Sequence, residues 1–251
     1  MRSNETAQSG SGPAASALDR VTTLTFDVFG TVLDLTGSLE GPTGKFLKEL
    51  GSELTGAEFY PQWRARQRIE QFQDSMLMLG HSGYLETCRR SLVYALRANG
   101  IGFESEQVVE FMSVWQELSP YPDSLDGLNR LADKFRLVAL SNGEPDYLEH
   151  LARNRIEFDF DEIISVEEAG AFKPHPGVYR AAARILNSEP GEIMMVAAHS
   201  FDIMGARVSG YRGAYVNRYG LPYEDTEQYV PDIVVSDFNE LADDLLGVSA
   251  Q

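Results

Sequence analysis

The stretch TLTFDVFGTVLD, residues 23–34, decides how the rest of the chain is read. An apolar, β-favouring run carries the backbone up to Asp27, and Gly30 follows where the chain must turn. A carboxylate at the tip of a buried strand, beside a glycine turn, has the form of a reaction centre. A turn aspartate that only caps the following loop would leave the same pattern. Asp27 is therefore weighed by its company. The stretch also raises a second question: why a phenylalanine, Phe29, stands two places after it.

Five further short apolar runs lie downstream: RLVALS (136–141), EIISV (162–166), IMMVAA (193–198), GAYVN (213–217) and DIVVS (232–236). Helical patterns separate most of them. Near-continuous apolar strands alternating with helices predict an α/β fold, with a parallel sheet covered on both faces. One spacing departs from that rhythm. The first run ends near residue 28 and the next begins near 136. The interval reads as helical. GPTGKFLKELG ends in Gly51, a helix stop. GAEFYPQWRARQRIEQFQDSMLMLG places apolar residues at 63, 69, 72, 76 and 79, close to a helical period. GYLETCRRSLVYALRANG and SEQVVEFMSVWQEL continue the pattern. The expected organisation is a flexible tail at 1–20, an α/β core at 21–36 and 119–251, and an all-helical insertion at 37–118.

The chain has 251 residues, 43% of them hydrophobic, as an ordinary globular protein does. Lys and Arg number 21 against 38 Asp and Glu, a formal charge of −17. Such a surface repels phosphate backbones, which argues against a nucleic-acid partner. A small anionic substrate then needs a locally positive pocket. The single cysteine, Cys88, has no intrachain partner and agrees with a reducing compartment. No apolar run approaches the roughly 20 residues of a membrane span, and the start has no signal-peptide core. A cytoplasmic protein without membrane contact is expected, with a homodimer left open.

In open α/β sheets ligands bind beyond the carboxyl ends of the strands, at a switch point. Three motifs join Asp27 on that edge. LSNG (140–143) offers Ser141 and Asn142, either as a helix cap or as a hydroxyl and an amide facing an anion. FKPHPGVYR (172–180) offers Lys173, either a solvated turn lysine or a cation that keeps an aspartate ionised. Tyr179 follows in the next helix, for packing or for the site. VAAHSFDIMGA (196–206) ends a strand with His199, Phe201 and Asp202. Each is weak alone.

Their order and spacing together resemble the haloacid dehalogenase superfamily: D-x-x-G-T at a first strand, S-N at a second, K-P after a third and a late Asp after a fourth. The resemblance covers almost the whole chain from residue 21. It implies a doubly wound, Rossmann-like core and identifies the insertion with the cap domain of that superfamily. Most members are magnesium-dependent phosphatases, so Phe29 does most to choose the reaction. In the phosphatases this position carries a second aspartate, which protonates a departing alkoxide. A phenylalanine donates no proton, and a halide ion needs none. The L-2-haloacid dehalogenase branch is similar here, with an aromatic residue in place of the acid. Ala198 stands where a metal-binding carboxylate usually does, which agrees with no metal ligand set and no cofactor. QWRARQ (62–67) resembles the dehalogenase cap motif whose arginine reaches the active site, which carries over to Arg64. Arg64, Gln67, Arg68 and Gln71 share one helix face.

The resemblance therefore implies hydrolytic removal of halide from a short 2-haloalkanoic acid. Asp27 is the expected nucleophile, and Arg64 and Asn142 receive the halide. Ser141, Lys173 and the backbone from Val28 onward hold the carboxylate. Asp202, with His199, directs water onto the ester. Phe29 and Phe201 form apolar walls, Thr31 and Tyr179 belong to the pocket, and Arg68 tunes it. The chain departs from the branch at Ala197 and His199, where serine and asparagine are usual. A magnesium-dependent phosphatase and a catalytically silent anion binder are the competing readings.

Overall fold

The computed structural model describes residues 17–247. The first sixteen residues of the expected tail lie outside them, and Ala17–Arg20 forms a 3-10 turn. Strand β1 (Thr23–Phe26) leads to Asp27, and a two-residue strand β2 (Leu33–Asp34) follows the turn. Four helices come next: α1 (Leu35–Glu49), α2 (Gly56–Met76), α3 (Tyr84–Ala98) and α4 (Ser105–Phe111). Strand β3 (Ser119–Pro120) pairs antiparallel with β2 and closes the base of this helical insertion. The chain then alternates: α5 (Ser124–Ala132), β4 (Arg136–Ser141), α6 (Pro145–Leu151), β5 (Glu162–Ser165), α7 (Pro176–Leu186), β6 (Ile193–Ala197), α8 (Ser200–Val208) and β7 (Arg212–Val216). Strand β8 (Ile233–Val235) and α9 (Phe238–Leu246) end the described chain.

The six long strands form one parallel sheet in the order β5-β4-β1-β6-β7-β8. The continuous apolar runs have a direct cause. Leu137 and Ala139 of β4 enter one apolar cluster, and Val138 and Leu140 enter the other, on the opposite face. Both faces are covered, so neither set of alternate residues is polar. The first cluster continues without a break into the insertion, through Leu39, Phe59, Trp63, Leu92 and Trp115. Core and cap are thus joined by packing as well as by two chain crossings.

Helix α2 departs from its apolar period. Its buried face runs through Phe59, Tyr60, Trp63, Gln67, Gln71 and Asp74, whereas Ile69 and Met76 are exposed. Leu79 lies beyond the helix end and is exposed too. The physical reason is local partners: Gln67 Nε2 meets Cys88 Sγ at 2.7 Å, and Asp74 pairs with Arg90 at 2.8 Å. Polar residues so satisfied are buried without loss. SEQVVEFMSVWQEL also divides: α-helix gives way to a 3-10 segment at Met112–Glu117.

The sheet sends Asp27, Asn142, Lys173 and the His199–Asp202 segment to one edge. Strand β1 sits between β4 and β6, with Phe26 level with Ala139 and Val196. The chain moves outward from β1 to β4 and β5, then crosses back to β6. That is the switch-point geometry of an open α/β sheet.

Candidate active site

Asp27 is buried, and its N–H donates to Val196 O at 3.0 Å. The turn behind it is tight. Val28 O accepts from the N–H of Val32 at 3.2 Å and of Leu33 at 2.9 Å. Gly30 has φ +88°, and a Cβ there would stand 2.4 Å from Tyr219 Oη. Only glycine meets both conditions.

Each oxygen of Asp27 is held. Oδ2 accepts from Thr31 Oγ1 at 2.7 Å and lies 3.2 Å from His199 Nδ1. Oδ1 accepts from Lys173 Nζ at 2.9 Å. Lys173 also donates to Leu140 O at 2.8 Å and to Asp202 Oδ2 at 2.6 Å, so its three protons are committed. Tyr179 Oη donates to Asp202 Oδ1 at 2.6 Å. Thr31 Oγ1 is itself fixed by Ala198 N–H at 2.9 Å.

Burial disfavours every charge here, and the pairing decides the outcome. For Asp27, burial would raise the carboxyl, but Lys173 and the His199 hydrogen bond outweigh it and hold it well below the usual range. Asp202 moves the other way: burial and the nearby Asp27 charge lift it, against Lys173. Burial lowers His199, helped by Arg68 and Arg64 and opposed by Asp27. The site thus holds an ionised Asp27, a more basic Asp202 and a neutral imidazole.

The insertion supplies the opposite wall. Arg64 on α2 bonds Gln67 Oε1 and approaches Tyr84 Oη at 3.4 Å. Phe29 stacks on Tyr84, ring centres 3.9 Å apart. Phe201 lies edge-on to Phe72 of α2 at 5.7 Å. Gln71 Oε1 receives Asn142 Nδ2 at 3.4 Å, a bond from cap to core. Between these walls is a cavity leaving only about 20 Å³ to the centre of a water-sized sphere.

Asp27, Phe29, Arg64, Arg68, Asn142, Lys173, His199, Phe201 and Asp202 line that cavity. Four expected pocket residues stand behind its wall. Thr31 and Tyr179 hold the carboxylates of Asp27 and Asp202, and the Val28 carbonyl closes the turn. Ser141 Oγ is buried with no hydrogen-bond partner among the described residues. Tyr84 and Gln71 line the cavity as well. Gln71 shares the basic face of α2, but nothing in GYLETC marks Tyr84 as the partner of Phe29.

The donor set does not fit a divalent metal. The Lys173 ammonium stands between the two carboxylates a cation would share. Among the described residues no group of three or more His, Cys, Asp or Glu is placed to hold a metal. A magnesium ion is usually held by one or two carboxylates and several waters, and here both carboxylates are already given to Lys173, Thr31 and Tyr179.

Comparison with known proteins covers most of the chain. The sequence model of the haloacid dehalogenase-like hydrolases matches residues 21–210. An (S)-2-haloacid dehalogenase of Xanthobacter autotrophicus is 31% identical over 194 residues, covering 77% of this chain and 74% of that protein. (S)-2-haloacid dehalogenase 1 of Pseudomonas sp. (strain CBS-3) is 29% identical, covering 82% and 89%. The solved structure of L-2-haloacid dehalogenase from Xanthobacter autotrophicus with chloropropionic acid covalently bound superposes with a TM-score of 0.78. It is 25% identical and covers 91% of this chain and all of that one.

Proposed function

This chain belongs to the haloacid dehalogenase-like hydrolase family, and we propose that within it the protein hydrolyses the carbon–halogen bond of a short 2-haloalkanoic acid. The observation that carries the proposal is Phe29. It stands two residues after Asp27, packed flat on Tyr84, so the wall facing the leaving group offers an aromatic face and no carboxylic acid. A departing alkoxide benefits from a proton donor; a departing halide does not.

The ionised Asp27 attacks the halogen-bearing carbon in line, the carbon–halogen bond breaks, and an ester forms on Asp27. Arg64 and the Asn142 amide receive the halide. The backbone N–H groups after Asp27 take the carboxylate, with Ser141 buried behind them. Lys173 has no proton to spare for substrate, so its part is to keep Asp27 ionised and in place. Esterification then removes the negative charge between Lys173 and His199. Water attacks the ester carbonyl, with Asp202 as base or orienting group. With Nδ1–H directed at Asp27, His199 leaves Nε2 free to accept from that water. Phe29 and Phe201 exclude bulk water, which strengthens each charge interaction inside.

The test is a single turnover in ¹⁸O-enriched water with protein in excess over an (S)-2-haloacid. The product should carry unlabelled oxygen, taken from Asp27, and inverted configuration at carbon 2. Label in the first-turnover product rejects the ester route. No halide release from a panel of 2-haloacids, with magnesium-dependent phosphate release instead, returns the protein to the phosphatases.

A further inference from the structure

The reaction cavity is the narrowest of three that meet at Phe201. The centre of a water-sized sphere has only about 20 Å³ to move in, so a 2-haloalkanoate, with five or more heavy atoms, has to come in through a wider neighbour. Two larger cavities adjoin it. One, of about 400 Å³, is a mainly apolar groove lined by Phe72, Ser75, Met76, Phe172, Pro174 and His175. The other, of about 380 Å³, lies under Tyr219, Leu221 and Pro222. Phe201 is a wall of all three. The groove shares only that residue with the reaction cavity, whereas the second shares Arg68, His199 and Phe201.

Arg68 makes these alternatives unequal. Its guanidinium forms no hydrogen bond or ion pair among the described residues, and its Nε is buried without a partner. Arg64, one turn before it, is bonded to Gln67. An unpaired cation between two cavities, in a chain of charge −17, is a landing point for an anion. His199 is tethered to Asp27 at 3.2 Å, which leaves Arg68 and Phe201 as the partition that can move. At the outer end, Ser200 Oγ donates to Glu224 Oε1 at 2.8 Å, so an exposed carboxylate flanks the mouth.

Resting on the proposed anionic substrate, we infer that small carboxylates reach Asp27 through the cavity beneath Tyr219 and Pro222, with Arg68 receiving the carboxylate and passing it inward as Phe201 swings aside. The other groove holds no arginine or lysine, and its polar Ser75 and His175 are bonded to Phe172 and to Gly177 N–H, so it is the poorer station for an ion whose desolvation is costly.

The experiment follows association of propanoate, an unreactive substrate analogue, by stopped-flow tryptophan fluorescence, beside steady-state halide release. Leu221→Trp, at an exposed site in the mouth, should slow association and lower kcat/KM by about tenfold or more. Met76→Trp, exposed on the apolar groove, should leave both unchanged. Glu224→Gln should speed association at low salt and lose that advantage at high salt. Arg68→Gln should slow association and flatten its salt dependence, which Arg68→Lys restores, and its loss should fall on kcat/KM more than on kcat. Slowing by Met76→Trp but not by Leu221→Trp moves the route to the groove and overturns the inference. An Arg68→Gln protein with wild-type association and salt slope overturns it too, as does a wild-type protein that binds no propanoate. Propanoate binding with this pattern but no halide release overturns the proposed reaction alone.

Discussion

At the scale of single residues, the two carboxylates are separated by their neighbours. Asp27 has Lys173, Thr31 and His199 around it, while Asp202 shares Lys173 and, among the described residues, adds Tyr179. The first is held ionised and the second made more basic. Asp202→Asn should therefore still alkylate Asp27 but hydrolyse the ester slowly. Halide release should stop near one equivalent, and intact-protein mass should show the adduct; a deficit of about 10²- to 10⁴-fold is expected for a lost base. His199→Asn should remain active with an unshifted acid limb of the kcat–pH profile. A shifted limb would transfer the role of base to the imidazole, whose own titration lies below 6.5. Arg64→Lys should lower kcat/KM by about 10²-fold or more, because a point charge does not reproduce the planar donor fork. Wild-type kinetics in that variant would remove Arg64 from the halide site. Of the residues that make the cavity, most stand in short motifs and could be read there. Tyr84 could not, since a tyrosine at the first position of α3 looks like any other helix residue until Phe29 is laid against it.

At the scale of elements, α2 carries the opposing wall and must be held in register. Thr55 and Glu58 cap its start reciprocally, with Thr55 N–H to Glu58 Oε2 at 2.9 Å and Glu58 N–H to Thr55 Oγ1 at 3.2 Å. Trp63 anchors its middle. It is fully buried, meets Trp115 edge-on at 5.7 Å and donates Nε1–H to Cys88 O at 2.8 Å. Trp63→Ala should cost about 3–5 kcal/mol in urea unfolding. It should also lower kcat/KM, because Arg64 is the next residue. Trp63→Phe, which keeps a ring but not the donor, should lose clearly less; equal losses would show that packing is not what holds the helix. The misplaced apolar stripe of α2 has the same origin. Hydrophobic periodicity reports the face that meets apolar partners, and α2 meets α3 through buried polar pairs over half its length.

At the scale of the whole molecule, the folded state carries a buried neutral imidazole and a buried ionised aspartate. The unfolded chain protonates His199 more readily, so its contribution to stability is present above 6.5 and is lost as pH falls below it. Asp27 follows the same sign at lower pH, with its contribution lost below the ordinary aspartate value of 3.8. Asp202, raised on folding, has the opposite sign and gains on acidification. The first step is the clean one. Urea midpoints should fall as pH is lowered through 6.5, and His199→Asn should remove that part of the fall; an unchanged slope would mean the imidazole does not stay neutral in the fold. Turnover should also survive exhaustive chelation, since Lys173 occupies the place between the carboxylates. Activity lost to chelator and restored by magnesium would contradict that donor assignment.

What the amino-acid order determined by itself was whatever depends on local pattern. Strands buried on both faces must be apolar throughout, so RLVALS matches β4 residue for residue. A helical insertion must interrupt the spacing of the strands, so its presence was legible between residues 28 and 136. Motifs at strand ends must share an edge, so Asp27, Asn142, Lys173 and Asp202 could be grouped in advance. Only the tertiary structure decided which of them touch. Lys173 lies 146 residues from Asp27 and spends all three protons on fixed acceptors. Phe29 finds Tyr84, and Arg68 forms no hydrogen bond or ion pair among the described residues. Those outcomes depend on how cap and core close over the sheet edge. Distances of a few ångströms between segments far apart in the chain are set by packing, which no local pattern encodes.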